Sequence, residues 1–201
     1  MRVQSGWHEV AIISVHERLF LKFHRGGDMI GYKALLIINM LNDFVLDGAP
    51  LKVPKIEKII GPIKREVEKA RSEGYPVIYL CDSHDKDDRE FEIFPPHAIR
   101  NTEGSKIIEE LKPQGNDIIV RKSSFSGFFN TDLDEILKKL SVKKLIVTGD
   151  VTNICVFYTV ADAVMRGYRV DVVKDAIIGL NKRDHRFALD QMRNVLKVNI
   201  I

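Results

Sequence analysis

The hydrophobic pattern of the chain changes at Lys33, where short apolar runs begin to alternate with longer segments of helical periodicity. Short runs rich in β-branched residues and bounded by glycine, proline or polar clusters predict strands, whereas apolar residues recurring every three or four positions predict amphipathic helices. The predicted strands are Ala34–Ile38, Pro76–Cys81, Asp117–Arg121, Lys144–Thr148, Tyr168–Val173 and Lys197–Ile201. The predicted helices are Lys55–Ser72, Ser105–Leu111, Leu133–Leu140, Cys155–Met165 and Arg183–Val195.

The predicted strands are apolar throughout and most are separated by helices. Such strands predict a mainly parallel sheet of six strands with helices on both faces, a doubly wound three-layer α/β/α fold. In such sheets, ligands bind beyond the carboxyl ends of the strands. The residues that follow the strands are therefore expected to share one cleft, and they are Asn39–Asp43, Asp82–His84, Lys122 and Asp150–Cys155.

Residues 1–32 fit this alternation poorly and are treated as an N-terminal extension to a domain at 33–201. Two interpretations stay open. The apolar runs Val10–Val15 and Leu19–Phe23 could pair as a β-hairpin arm. Alternatively, Met29 is the true start and the preceding residues are an over-extended reading of the gene.

Cys155 follows the strand Lys144–Thr148 and is predicted to lie in the first turn of the helix Cys155–Met165, with Thr152 or Asn153 as the N-cap. The free N–H groups and the positive end of the helix dipole favour the thiolate there, and the thiolate is the nucleophilic form of cysteine. The alternative is a core cysteine that packs as a small hydrophobic residue.

Two groups of polar residues near the other strand ends suggest thiolate stabilisation and metal binding. Lys122 is either a solvated strand cap or an ammonium that stabilises a thiolate on Cys155. Asp82, His84 and His97 offer one carboxylate and two imidazoles, which can hold one face of a divalent ion, although polar loop histidines are common without one. The other acids of this loop are expected to form a solvated stretch: Asp85, Asp87 and Asp88.

Composition narrows the classes of function. The chain has 201 residues, a net charge of +3, 45% hydrophobic and 29% charged residues, which describes one globular domain and gives no electrostatic reason to expect nucleic acid. No apolar run is long enough for a membrane span, and the two cysteines favour a reducing cytoplasm over a disulfide framework. Dinucleotide and phosphate-loop motifs are absent, so no organic cofactor is expected.

Four motifs, in order along the chain, resemble the isochorismatase-like cysteine hydrolases and, within them, the nicotinamidase branch. The resemblance runs from about Lys33 to the C-terminus, and it implies a Rossmann-like fold, a small amide as substrate and a homodimer or homotetramer. The motifs are Asn39-Met40-Leu41-Asn42-Asp43-Phe44, Asp82-x-His84 with Phe94-Pro95-Pro96-His97, Lys122 with Ser126-Gly127-Phe128, and Thr148-Gly149-Asp150-Val151-Thr152-Asn153-Ile154-Cys155.

The resemblance implies a Cys–Lys–Asp triad in which Cys155 attacks a carbonyl, forming a thioester, and Lys122 holds the thiolate. It further implies backbone N–H groups of Val151 and Cys155 as oxyanion donors, shaped by a cis peptide after Asp150. The implied metal ligands are Asp82, His84 and His97, binding zinc, or alternatively iron or manganese, and the implied substrate-binding aromatic residues are Phe94 and Phe44.

One departure from the family pattern concerns the third member of the triad. The position of the family aspartate is Asn39, whose amide cannot accept a proton as a carboxylate does, and a neighbouring glutamine position is Leu41. Either Asp43 replaces the acid, or Lys122 leaves the cysteine already ionised, or the chain is a degenerate metal- and ligand-binding protein. The favoured hypothesis is a retained but impaired hydrolase of nicotinamide or a similar amide, with another amide or a ureido compound as the alternative substrate.

Overall fold

A computed structural model describes residues 33–201, so the hairpin proposed near the N-terminus lies outside the described residues. Six parallel strands form one sheet in the order β3-β2-β1-β4-β5-β6, which confirms the predicted doubly wound fold. The strands are β1 Lys33–Ile38, β2 Val77–Asp82, β3 Ile118–Lys122, β4 Lys144–Asp150, β5 Arg169–Ile178 and β6 Asn199–Ile200.

Helices connect the strands and cover both faces of the sheet. The α-helices are α1 Asn42–Val45, α2 Glu57–Glu73, α3 Leu133–Lys139, α4 Phe157–Met165 and α5 Lys182–Asn194. Short 3₁₀ turns occupy Arg89–Glu92 and Glu109–Leu111, and a π-helical turn at Thr152–Val156 leads into α4. None of the helices in the described part of the chain is long and apolar enough to cross a membrane.

The hydrophobic core lies in two layers, one on each side of the sheet. Residues alternate between the layers along β1, where Leu36 and Ile38 face one layer and Leu35 and Ile37 face the other. All four are essentially inaccessible to solvent, which is why β1 reads as a continuous apolar run. This central strand ends at Ile38, and the residue that follows it, Asn39, belongs to the site described next.

Two predicted elements outside the candidate site differ from the structure by several residues. The predicted helix Ser105–Leu111 is wrong: only Glu109–Leu111 form a 3₁₀ turn, because Ile107 bridges Leu41 and the Ile108 N–H donates to the Met40 carbonyl. Strand β5 continues to Ile178, well beyond the predicted end at Val173. In both cases the backbone pairs with segments distant in sequence, which a local hydrophobic pattern does not report.

Candidate active site

A cleft opens at the carboxyl ends of the central strands, with an empty volume of about 490 Å³. It receives residues from the ends of β1, β2 and β4, in agreement with the rule for doubly wound sheets. Its lining is mainly apolar and aromatic. The lining residues are Asn39, Phe44, Leu51, Val53, Asp82, Glu90, Phe94, His97, Phe125, Val151, Ile154, Cys155 and Leu180.

The Cys155 sulfur lies at the floor of this cleft between two nitrogen donors. The Lys122 Nζ is 3.5 Å from Sγ, and the Asn39 Nδ2 is 3.4 Å from it. Lys122 also forms a buried ion pair with Asp82 and donates to the Ser124 carbonyl at 2.9 Å. The structure therefore brings together the cysteine, the lysine and position 39, from three different strand ends.

The orientation of the Asn39 amide follows from its partners on β2. Its Oδ1 accepts the Asp82 N–H at 3.1 Å, so its Nδ2 faces the Asp82 carboxylate, 2.6 Å from Oδ2. The reversed amide would place oxygen against oxygen at the carboxylate. Asn39 thus presents an N–H to the Cys155 sulfur and has no atom there that accepts a proton.

Electrostatics set the resting protonation of this cluster. Burial raises the pKa of Cys155 to about 12, although the Lys122 ammonium opposes the shift. Burial alone would lower the pKa of Lys122, but the Asp82 carboxylate and the Cys155 sulfur raise it above its ordinary value. Burial thus opposes the thiolate form that the position of Cys155 was expected to favour, and the Lys122 ammonium supports it.

Cys155 belongs to a π-helical turn and not to the first turn of α4, which corrects the predicted helix. The cap position is Val151, without a side-chain capping bond, so neither Thr152 nor Asn153 is the N-cap. Thr152 instead pairs its hydroxyl with the His185 Nδ1 at 2.9 Å. The peptide bond between Asp150 and Val151 is cis.

Asp82, His84 and His97 form a compact group at one side of the cleft, with candidate ligand atoms all within 4.8 Å of one another. The His84 Nε2 is buried and has no hydrogen-bond partner among the described residues. The His97 Nδ1–H donates to the Pro95 carbonyl at 2.8 Å. The His97 Nε2 of the neutral ring therefore carries a lone pair. One carboxylate and two imidazoles are ligand types that suit a divalent cation, and a bound ion would share the Asp82 carboxylate with Lys122 and Asn39.

Two acids near this group were not identified from the sequence. The Asp88 Oδ2 lies within hydrogen-bond distance of the His84 Nδ1, at 3.0 Å. This contact corrects the expectation that Asp88 belongs to a solvated stretch. Glu90 lines the cleft with its carboxylate 3.7 Å from the His97 Nε2, and burial raises its pKa. The spacing of Asp88 four residues after His84 was the available signal, but the 3₁₀ turn that presents Glu90 was not predictable.

The aromatic residues of the cleft form a connected set around His97. Phe44 and Phe94 have ring centroids 5.4 Å and 6.4 Å from the imidazole. Phe125, which the sequence analysis did not single out, extends the set from Phe94 at 6.3 Å. Such walls suit a flat apolar ring.

Asp43 lies outside the catalytic cluster. Its Oδ2 accepts the Ala98 N–H at 2.8 Å, and its carboxylate fills the space that a side chain at position 104 would need. Asp43 therefore fixes the loop that carries His97. It does not replace the missing acid at position 39.

The fold and the site define a doubly wound α/β protein whose candidate nucleophile is a buried cysteine. The isochorismatase domain family matches residues 33–200, and the chain belongs to this family, which confirms the resemblance of the motifs. An uncharacterised isochorismatase family protein of Bacillus subtilis is 35% identical over 168 residues, covering 84% of this chain and 92% of the relative. A protein of Arabidopsis thaliana named as a probable inactive nicotinamidase is 34% identical, covering 81% of this chain and 88% of the relative.

Solved structures agree with this assignment. N-carbamoylsarcosine amidase of Thermoplasma acidophilum is similar with a TM-score of 0.78 and 33% identity, over 84% of this chain and 95% of that chain. Pyrazinamidase of Pyrococcus horikoshii, solved in complex with zinc, has a TM-score of 0.80 and 28% identity, over 84% and 98% of the two chains. The family match and these two amidases place the chain in a family of hydrolases.

Proposed function

We propose that the chain hydrolyses a small planar amide of the nicotinamide type through a thioester on Cys155. The observation that carries the proposal is the sulfur held between Lys122 and Asn39 at the floor of an aromatic cleft. An amide seated there places its carbonyl above the sulfur and its ring between the aromatic walls.

The reaction divides into acylation and hydrolysis. The Cys155 sulfur forms a C–S bond to the amide carbonyl while the π electrons move to oxygen, where the backbone N–H groups of Val151 and Cys155 are proposed to donate. Collapse breaks the C–N bond, and the leaving amine takes up the proton that the thiol gave up and departs as ammonia. Water then cleaves the thioester, which gives the acid and restores the thiol. Throughout, the Lys122 ammonium stays beside the sulfur because Asp82 holds it there.

Asp82, His84 and His97 are proposed to hold a divalent metal, with zinc in keeping with the zinc complex of the Pyrococcus relative. When bound, the ion would supply a positive centre that attracts a ring nitrogen of the substrate. Asp88 would then fix the tautomer of His84, leaving the lone pair of Nε2 directed to the ion.

The cleft favours a neutral aromatic amide over a ureido acid. Among the described residues that line it, there is no lysine or arginine to pair with a substrate carboxylate. Its apolar walls instead match the face of a pyridine or pyrazine ring. The order of preference is therefore nicotinamide or pyrazinamide first and ureido compounds second.

A degenerate binding protein is the second candidate function. Asn39 favours it, because the residue that contacts the sulfur cannot accept its proton. The likeness to a relative named as a probable inactive nicotinamidase points the same way. Under this alternative the cleft binds an amide and the metal but releases no ammonia.

Ammonia release measured over a panel of nicotinamide, pyrazinamide and ureido acids tests the proposal. The natural chain is expected to act on the aromatic amides, and Cys155→Ala is expected to abolish this activity. Cys81→Ala is the matched control, since Cys81 is also buried but lies in the opposite core layer and does not line the cleft. Binding of nicotinamide without ammonia release would favour the degenerate protein.

A further inference from the structure

The Asn39 amide has a neighbouring partner for its oxygen and for each of its two N–H groups. Asn39 is 1% exposed, its Oδ1 accepts the Asp82 N–H, and one Nδ2 hydrogen is directed to the Asp82 Oδ2 at 2.6 Å. The other Nδ2 hydrogen is left for the Cys155 Sγ, 3.4 Å from the nitrogen. The backbone of Asn39 has φ +55°, a left-handed conformation that asparagine adopts more readily than most residues. The amide is therefore held in one orientation, with an N–H aimed at the sulfur.

The Lys122 ammonium is held in a similar way. Its three hydrogens have three neighbouring acceptors, which are the Asp82 carboxylate, the Ser124 carbonyl at 2.9 Å and the Cys155 sulfur at 3.5 Å. Both donors to the sulfur are thus also bonded to Asp82, one to each of its oxygens. Asp82 is a common anchor that directs two N–H donors onto one sulfur.

Two converging N–H donors suit a thiolate better than a thiol. The sulfur of a neutral thiol is a weak acceptor, whereas an ionised acceptor forms shorter and stronger hydrogen bonds. Burial opposes the thiolate here, so its charge needs partners inside the protein. The charged groups that face the sulfur are the Lys122 ammonium and the carboxyl groups of Asp82 and Asp150. An amide adds a donor to this cluster without adding another negative charge.

A carboxyl group at position 39 would remove this donor. The Asn39 Nδ2 lies 2.6 Å from the Asp82 Oδ2, so an aspartate would bring two carboxylate oxygens together, and such a contact needs a shared proton between them. The oxygen that faces Cys155 would then have no hydrogen to donate to the sulfur. Exchange of asparagine for aspartate therefore replaces an N–H beside the sulfur by a lone pair.

We propose that Asn39 binds the Cys155 thiolate together with Lys122, so that position 39 stabilises the charge of the nucleophile and takes no part in removing its proton. In the proposed reaction the sulfur carries this charge when it attacks the carbonyl, and again when water displaces it from the thioester. The inference rests on the proposed function for its part in catalysis. It replaces the interpretation of Asn39 as the loss of an acid by that of a second donor.

Alkylation of Cys155 by iodoacetamide tests the inference without an amide substrate. The thiolate forms the S–C bond and iodide leaves, so the rate reports the thiolate population. The chain contains two cysteines, and a Cys81→Ala background leaves Cys155 as the single thiol. Rates are measured from pH 6 to pH 10 with a chelator present, for the parent, Asn39→Asp and Asn39→Leu. Circular dichroism confirms that each variant is folded.

Asn42→Asp is the matched control. It makes the same chemical change three residues along the chain, where the amide donates to the Glu103 carbonyl at 2.8 Å and does not contact the sulfur. Its alkylation rate is expected to equal that of the parent.

We expect both Asn39 variants to be alkylated at least about tenfold more slowly than the parent at pH 8, because each loses a hydrogen bond to a charged group. Asn39→Asp is expected to be the slower of the two, since it also places an acid beside the sulfur. The apparent pKa of the thiol, obtained from the pH profile, rises in the same order. An acid that activates the thiol predicts the opposite sign, with Asn39→Asp faster than the parent.

The inference is overturned if Asn39→Asp reacts as fast as the parent or faster, if Asn39→Leu reacts as fast as the parent, or if the parent is not alkylated by pH 10. Where one of the two variants does not fold, the other decides. Ammonia release by the same variants separates this result from the proposed function. A parent that shows the expected alkylation pattern but releases no ammonia contradicts the proposed function and keeps Asn39 as a thiolate donor. Ammonia release by the parent with the reverse alkylation pattern keeps the proposed function and overturns the role of Asn39.

Discussion

Replacement of Lys122 by methionine is expected to lower both the stability and the activity of the protein. Lys122 is 3% exposed, and its ammonium pairs with the Asp82 carboxylate, also 3% exposed. Methionine keeps most of the side-chain volume but leaves Asp82 as a buried charge without its counterion. The ammonium beside the Cys155 sulfur is lost in the same change.

The magnitude follows from the burial of the pair. Removal of one partner of a buried ion pair costs about 3–5 kcal/mol of unfolding free energy. For a domain of this size, each kcal/mol lowers Tm by about 2–4 °C, so the expected decrease is about 6–20 °C. Asp82→Asn combined with Lys122→Met removes both charges, and it is expected to recover most of the lost stability but none of the activity.

Urea unfolding followed by circular dichroism measures this effect, in the presence of a chelator so that bound metal does not contribute. Lys112→Met is the matched control, because Lys112 is exposed and its 3.0 Å pair with Glu109 is worth less than about 1 kcal/mol. The reasoning is refuted if Lys122→Met unfolds at the same urea concentration as Lys112→Met, or if the double variant is less stable than Lys122→Met alone.

Three further predictions concern the backbone, the metal group and pH. Gly149→Ala is expected to abolish soluble expression, because the glycine has φ +107° and a Cβ there would lie 2.6 Å from a backbone nitrogen of β1. Gly115→Ala is the control and should express normally, since a Cβ at Gly115 would meet open space. Asp88→Ala is expected to weaken zinc binding in titration calorimetry by about 10–100-fold, since it removes the hydrogen-bond partner of His84. Asp85→Ala is the control and should not change the affinity, because Asp85 pairs with Arg100. Equal affinities of the two variants would contradict the assignment of His84 as a metal ligand. Asp150→Asn is expected to raise the unfolding free energy at pH 8 more than at pH 4. The raised pKa of Asp150 in the folded state lowers the unfolding free energy of the parent as pH rises above the ordinary carboxyl pKa of about 4, and the amide removes this loss. A gain that does not depend on pH would contradict the raised pKa.

The fold was predictable from the sequence because buried parallel strands carry a strong local signal. β1, β2 and β4 start within one residue of their predicted positions, and Gly74 ends α2 in the left-handed conformation that a C-terminal glycine supplies. β5 was predicted too short, because Lys174 and Asp175 are exposed and interrupt its apolar run. Local hydrophobicity thus locates buried strands and misses their polar continuations.

The strand-end residues of the candidate site were predictable from their positions and motifs, but their interactions and the loop residues Glu90 and Phe125 were not. That Asp82 contacts Lys122 and Asn39 at once depends on the register of three strands. These relations are long-range, and the local sequence around each residue does not encode them.

The central claim is that Cys155 becomes acylated by a small amide. The most direct measurement is intact-protein and peptide mass spectrometry of enzyme that has been acid-quenched during incubation with nicotinamide or pyrazinamide. The account predicts an acyl adduct on the peptide that contains Cys155, formed together with ammonia and absent in Cys155→Ala. Ammonia release that persists in Cys155→Ala, or the absence of both adduct and ammonia with the natural chain, would contradict it.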